Sequence, residues 1–140
     1  MGSGVTPSED ILPIAVIDEA AARTVAVCGT GFLIADGLLV TAWHCVREAL
    51  KPGQRYVVCR KRGPDVYDPF PLDDIVQHPA GRDLALGRVP LAATQRFSLF
   101  RTAVRPGMHV WTFGYPAPQL RYDDHGNRVF ALGPHTSRVT

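Results

Sequence analysis

The chain has 140 residues, 46% of them hydrophobic, with a formal net charge of +2 at pH 7. That length suffices for one domain burying about two-thirds of its unfolded surface. The small, interspersed charge excludes the strong field of a nucleic-acid binder or a polybasic membrane patch. Three cysteines, an odd number, do not make a complete disulfide framework. The N-terminal stretch has no basic n-region, and Pro13, Asp18 and Glu19 interrupt its apolar runs. Neither a signal peptide nor a membrane span is visible, and a cytoplasmic location is expected. Met1-Gly2-Ser3-Gly4-Val5-Thr6 fits a bare myristoylation pattern and equally a flexible start.

Residues 1–10 read as a flexible polar arm. Residues 11–17 are an apolar strand carrying Pro13, which suits an edge or a strand start because proline has no N–H for a ladder. Residues 18–23 read as a helical turn or a loop. Residues 24–28 open the next strand, and Gly29 and Gly31 around Thr30 suggest a bulge or a close backbone approach. The runs 32–35 and 38–40 flank Asp36-Gly37, a pair that tolerates positive φ, and so predict a β-hairpin. Both runs are apolar at nearly every position, which places the hairpin inside a closed or sandwiched sheet.

Thr41 is placed to cap a short helix over 42–50, which Pro52-Gly53 terminates. Residues 56–59, the proline-bearing irregular edge 66–72, 75–77 and 84–89 then read as strands. Cys59 is a strand residue with no partner. Arg60-Lys61-Arg62, beside Gly63-Pro64, reads as a solvated loop, since no aromatic residue interleaves to make a stacking platform for nucleic acid. Six or seven short strands with a turn signal every dozen residues form the pattern of an antiparallel barrel. Residues 91–105 lack periodicity and read as a linker. Beyond it, 108–113 and 129–132 are strand-like around the polar run 121–128. Asp123, Asp124 and Asn127 there offer oxygens, but without the spacing of an EF-hand loop, and the run reads as a solvated hairpin turn.

Three ordered segments carry a resemblance. Cys28-Gly29-Thr30-Gly31-Phe32 leads into Thr41-Ala42-Trp43-His44-Cys45; Asp83-Leu84-Ala85-Leu86 follows; Trp111-Thr112-Phe113-Gly114-Tyr115-Pro116 closes on a Gly-x-Pro turn. Together they resemble the histidine motif, the aspartate strand and the first strand of the second barrel in the chymotrypsin/trypsin-like serine peptidases. The resemblance implies an all-β fold: an antiparallel six-stranded Greek-key barrel over 11–90, the linker, and an incomplete second barrel over 106–140. It implies peptide-bond hydrolysis through an acyl-enzyme, a peptide or protein substrate, and no cofactor. Cys28 and Cys45 fall at positions resembling a pair bridged in many secreted relatives; in a reducing compartment they are instead buried thiols.

Such chemistry needs a nucleophile, a base and a group that fixes the base's tautomer. His44 is the candidate base and Asp83 the candidate orienter, its strand backbone expected to be anchored by Leu84 and Leu86. Their bland alternatives are a hydrogen-bonded histidine in a helical turn and a surface carboxylate paired with Arg82 or Arg88. His78, His109, His125 and His135 have no such setting, and no histidine pair has metal-ligand spacing, so no metal is assigned. Trp43 departs from the small residue many relatives carry before the histidine, which bears on the neighbouring substrate subsites.

The nucleophile is absent. The relatives carry it in a Gly-x-Ser-Gly-Gly-like segment, whereas Ser98 and Ser137 lack glycine neighbours. The 140 residues alone are therefore expected to be inactive, with a C-terminal half or a partner chain completing the second barrel. The rival reading is a catalytically inactive peptidase-fold binding or scaffolding module. Neither nucleic acid nor membrane is an expected partner.

Overall fold

A computed structural model describes residues 9–63, 66–94, 105–108, 110–115, 119–122, 128–131 and 135–139. Seven strands, β1 (Ile11–Asp18), β2 (Arg23–Ala35), β3 (Leu38–Thr41), β4 (Gln54–Gly63), β5 (Val66–Pro71), β6 (Asp73–Gln77) and β7 (Ala85–Arg88), form one antiparallel sheet. Their order across it is β5-β4-β1-β2-β3-β7-β6. The two end strands are successive in the chain, with only Leu72 between them, so the sheet must curl until its ends meet at that corner. Leu72 is buried, and its N–H donates to the Tyr56 carbonyl of β4. The expected count of six strands becomes seven because the chain breaks its ladder at this corner.

Alternation builds the core. Leu12, Ile14 and Val16 of β1, Leu33 of β2, Leu39 of β3, Tyr56 and Val58 of β4, and Ala85 of β7 converge with Val46, Leu72 and Val89. Full burial of an aliphatic side chain such as Ile14, Leu33 or Leu39 stabilises by about 1.5–3 kcal/mol. The β2–β3 hairpin turns at Asp36-Gly37 as its dipeptide indicates, but only Gly37, at φ +76, takes the left-handed conformation. The glycines of β2 also behave as expected. The register passes from Ile14↔Gly29 to Ala15↔Val27, leaving Cys28 as a bulge. A Cβ on Gly31 would stand 2.8 Å from Leu39 Cδ2 and 3.2 Å from Ile14 Cδ1, so the inner layer closes only over a bare backbone.

Several expectations are corrected. β1 is an interior strand, between β4 and β2; Pro13 is tolerated because pairing with β4 starts one residue later, at Ile14↔Val58. β5, with Pro69 and Pro71, is an end strand, as its prolines indicate. Residues 18–23, of the two alternatives, form a tight loop rather than a helical turn, in which Asp18 Oδ1 accepts the N–H groups of Ala20 and Ala21. In place of a helix over 42–50 there is one 3-10 turn, Trp43–Cys45, whose N-cap is Ala42. The Thr41 hydroxyl does not cap it but donates to the Thr30 carbonyl at 2.9 Å. Farther on, a helix would have left the Glu48 carbonyl facing Pro52, which has no N–H; the Tyr56 hydroxyl supplies that bond at 3.0 Å.

The Arg60-Lys61-Arg62 run lies in β4 rather than in a loop. Arg62 pairs with Asp68, and Arg60 reaches the fully buried Asp10 at 3.6 Å. Asp10 also accepts the N–H and the hydroxyl of Thr94, both at 2.8 Å. Together with Asp36 accepting from Ala93 N–H, this ties the start of the linker to the sheet.

The outer face of the hairpin is less covered than its composition suggests. Phe32, Val40, Leu86 and Val76 are cross-strand neighbours on β2, β3, β7 and β6. Leu86 and Val76 are 41% and 62% exposed. Beyond the linker, β8 (Val110–Gly114) pairs with β11 (His135–Val139), and β9 (Gln119–Tyr122) with β10 (Arg128–Ala131). The β9–β10 ladder flanks the expected hairpin turn, whose Asp123, Asp124, His125 and Asn127 lie outside the described residues, as do Ser98 and His109. His135 is in β11. Among the described residues no helix is long and apolar enough to cross a membrane.

Candidate active site

His44 sits in the 3-10 turn that follows β3. The turn is closed by Cys45 N–H to the Ala42 carbonyl at 3.1 Å and by Val46 N–H to the Trp43 carbonyl at 3.0 Å. Val46 is buried, and Trp43 and Cys45 pack against the core, so both neighbours of the histidine are anchored while its own side chain points outward. Gly29 makes room for this. A Cβ there would come within 2.5 Å of the Cys45 sulfur, so the turn settles on β2 only because that position has no side chain.

Asp83 comes from the loop between β6 and β7. His78 N–H donates to the Leu84 carbonyl at 2.8 Å, and the His78 carbonyl accepts Gly81 N–H at 2.9 Å. Ala80 N–H reaches His78 Nδ1 at 3.0 Å, so His78 serves this loop. β3 and β7 pair through Thr41↔Ala85. Residues just beyond Thr41 and just before Ala85 therefore emerge at the same end of adjacent antiparallel strands, and His44 and Asp83 meet there. The anchoring of Asp83 is not by Leu84 and Leu86, each 41% exposed; Ala85 and Val89, on the opposite phase of the strand, are buried.

The meeting is two-pronged. His44 donates its backbone N–H to Asp83 Oδ1 at 2.7 Å, and His44 Nδ1 lies 2.6 Å from Asp83 Oδ2. The ring's hydrogen bond, then the backbone one, holds the Asp83 carboxyl below its ordinary 3.8, and Arg47 adds a smaller effect. An ionised carboxylate only accepts, so Nδ1 must carry the proton between them, which in the neutral ring leaves Nε2 as the acceptor nitrogen. Both side chains are more than half exposed. Arg88, one of the proposed surface partners for Asp83, turns instead to Asp74 at 3.5 Å.

Cys28, Cys45 and Cys59 are free thiols. Burial, with Cys45 nearby, pushes Cys28 up to about 11; burial alone does the same to Cys59. Cys45 is raised mainly by burial, partly offset by a hydrogen bond with the Thr41 side chain, and it lies in the 3-10 turn. Among the described residues no group of three or more His, Cys, Asp or Glu side chains is placed to hold a metal.

Residues 29–138 match the trypsin-like peptidase domain. The chain belongs to that family. Its curled sheet is similar to kallikrein-related peptidase 10 at TM-score 0.52 and 13% identity, covering 79% of this chain and 58% of that one. It is similar also to neuropsin, a serine protease expressed in the limbic system of mouse brain, at TM-score 0.51 and 17% identity, covering 89% and 57%. At those identities the likeness is one of fold, which is chymotrypsin-like, and this chain spans less than two-thirds of either neighbour. No curated protein sequence matches it. The sequence singles out His44 and Asp83, which the fold brings into contact, and a close backbone approach at Gly29, but not the polar contacts of Thr30. Those contacts have no periodic signal, because they depend on partners brought close only by folding.

Proposed function

We propose that this chain is the dyad-bearing part of a serine endopeptidase whose nucleophile and oxyanion hole come from a segment outside these residues or from another chain. In this reading the curled sheet is the first Greek-key barrel, with β5 and β6 as one bent strand, and β8 to β11 begin the second. His44 Nε2 removes the proton from the attacking hydroxyl, and the imidazolium so formed is stabilised by Asp83. The same nitrogen then gives the proton to the leaving amine, and water releases the acyl group. Asp83 acts through orientation. Its attachment to both the ring and the backbone of His44 is the observation that carries the proposal.

The half-exposed apolar row on the outer face, which begins beside Asp83 at Leu84 and Leu86, supports a further segment packing there, since contiguous apolar patches mark interaction surfaces. By itself the 140-residue chain is inactive in this reading, and the complete protein works on peptide or protein substrates in the cytoplasm. A fluorophosphonate probe tests it. Labelling of the complete protein at a serine, abolished by His44→Ala, is expected. A well-folded complete protein that takes no label would favour a binding or scaffolding module, unless a thiol-directed probe finds a cysteine in the serine's place.

A further inference from the structure

Thr30, between Gly29 and Gly31 on β2, is bonded in two directions. Its carbonyl accepts the Thr41 hydroxyl at 2.9 Å. Its own hydroxyl oxygen accepts the backbone N–H of Tyr115, also at 2.9 Å. Thr41 is buried at the end of β3, and its side chain also hydrogen-bonds the Cys45 thiol. It therefore touches the chain on the far side of His44 as well as preceding it. Tyr115 follows β8, the first strand past the linker, and the hydroxyl of its half-buried side chain is hydrogen-bonded to Tyr67 of β5. A short series of hydrogen bonds thus leads from the exit of β8, through Thr30 and then Thr41, to both flanks of the histidine turn.

We propose that Thr30 is a positioning residue: its hydroxyl sets the placement of β8, and of the chain that continues from it, relative to the His44–Asp83 pair. This rests on the peptidase reading above, in which the nucleophile lies beyond the first sheet. The dyad is built wholly from the first sheet, so it cannot by itself fix the distance from Nε2 to a hydroxyl carried elsewhere. Catalytic groups must be held within about 0.5 Å of their working geometry. The bond from Thr30 to Tyr115 joins the two parts a few residues from the dyad, where a small displacement is not absorbed by intervening structure. Val at this position keeps the shape and removes the acceptor; Ser keeps the acceptor.

In the complete protein, Thr30→Val is expected to lower kcat by roughly tenfold to a hundredfold, the scale of an approximately 1 Å misplacement. KM should change less than about threefold, and the pH midpoint of kcat should not move, since neither bond between His44 and Asp83 passes through this hydroxyl. Thr30→Ser restores kcat. Amide hydrogen exchange at Tyr115 is faster in the valine variant and not in the serine variant. Should Thr30→Val fail to fold, Thr30→Ala carries the same expectations. A valine variant with wild-type kcat, or a serine variant as impaired as the valine one, would overturn the proposal. If the wild-type complete protein shows no turnover, the peptidase reading fails separately. Exchange at Tyr115 then decides the coupling alone, and an unchanged rate in Thr30→Val overturns it.

Discussion

Replacing Asp83 with asparagine in the complete protein tests the dyad where its geometry is most demanding. Asp83 receives two donors from one residue, the His44 backbone N–H on Oδ1 and the ring Nδ1 on Oδ2. Asparagine has a single acceptor oxygen. The backbone N–H cannot change its role, so the side-chain oxygen stays opposite it and the amide NH2 faces Nδ1. An N–H group there requires a lone pair on Nδ1, which moves the neutral ring's proton to Nε2. The nitrogen that should take the nucleophile's proton is then already occupied. The same change in a Ser-His-Asp triad lowers turnover about 10⁴-fold with the geometry intact, and a loss of that order is expected here. Because both side chains are largely exposed, the thermal midpoint should move by less than about 3 °C. The assay is the fluorophosphonate inactivation rate beside a thermal melt. A rate within tenfold of wild type, in a variant that melts normally, would remove Asp83 from the mechanism.

Three further outcomes follow from particular contacts. Gly31→Ala drives a Cβ against Leu39 and Ile14, both fully buried, and should destabilise by about 1–3 kcal/mol in a denaturant titration; an unchanged midpoint would mean that the inner layer is not closed as described. The Asp83 carboxyl is depressed by its bonds from His44, so its contribution is present at neutral pH and is lost as pH falls through a value below 3.8. Its side-chain carbon should titrate with a midpoint beneath that figure, and a midpoint at or above it would contradict the pairing. Cys28 and Cys59, pushed up to about 11, should alkylate at pH 8 on the order of a hundredfold more slowly than a thiol at 9.0; rapid labelling of both in the folded protein would show them to be exposed.

The hairpin, the end strand β5 and the meeting of His44 with Asp83 were legible in the amino-acid sequence because each has a local cause. Asp36-Gly37 supplies the turn, Pro69 and Pro71 confine β5 to an end of the sheet, and the residues around His44 and Asp83 carry the family's pattern. What escaped reading depends on contacts distant in sequence. Thr41 suggested the cap of a helix over 42–50, but its hydroxyl is taken by the Thr30 carbonyl of the neighbouring strand, and the Tyr56 hydroxyl takes the Glu48 carbonyl. Leu84 and Leu86 looked like the buried phase of β7, yet the smaller Ala85 and Gly87 are the buried ones. Composition favours leucine for a core, but pairing through Thr41↔Ala85 fixes which phase points inward. Lys61 and Arg62 are exposed as the basic run suggests, but the run lies in β4 rather than a loop, and Arg60 is drawn toward Asp10 from the chain before β1.

Nitrogen NMR of the His44 imidazole is the most direct test, because it reads the proton on which the whole assignment depends and needs no nucleophile. In the neutral ring of the folded 140-residue chain, Nδ1 should be the protonated nitrogen, its proton strongly deshielded by Asp83, and Nε2 the bare one. A ring that carries its proton on Nε2, or whose Nδ1 signal is unaffected by Asp83→Ala, would contradict the account.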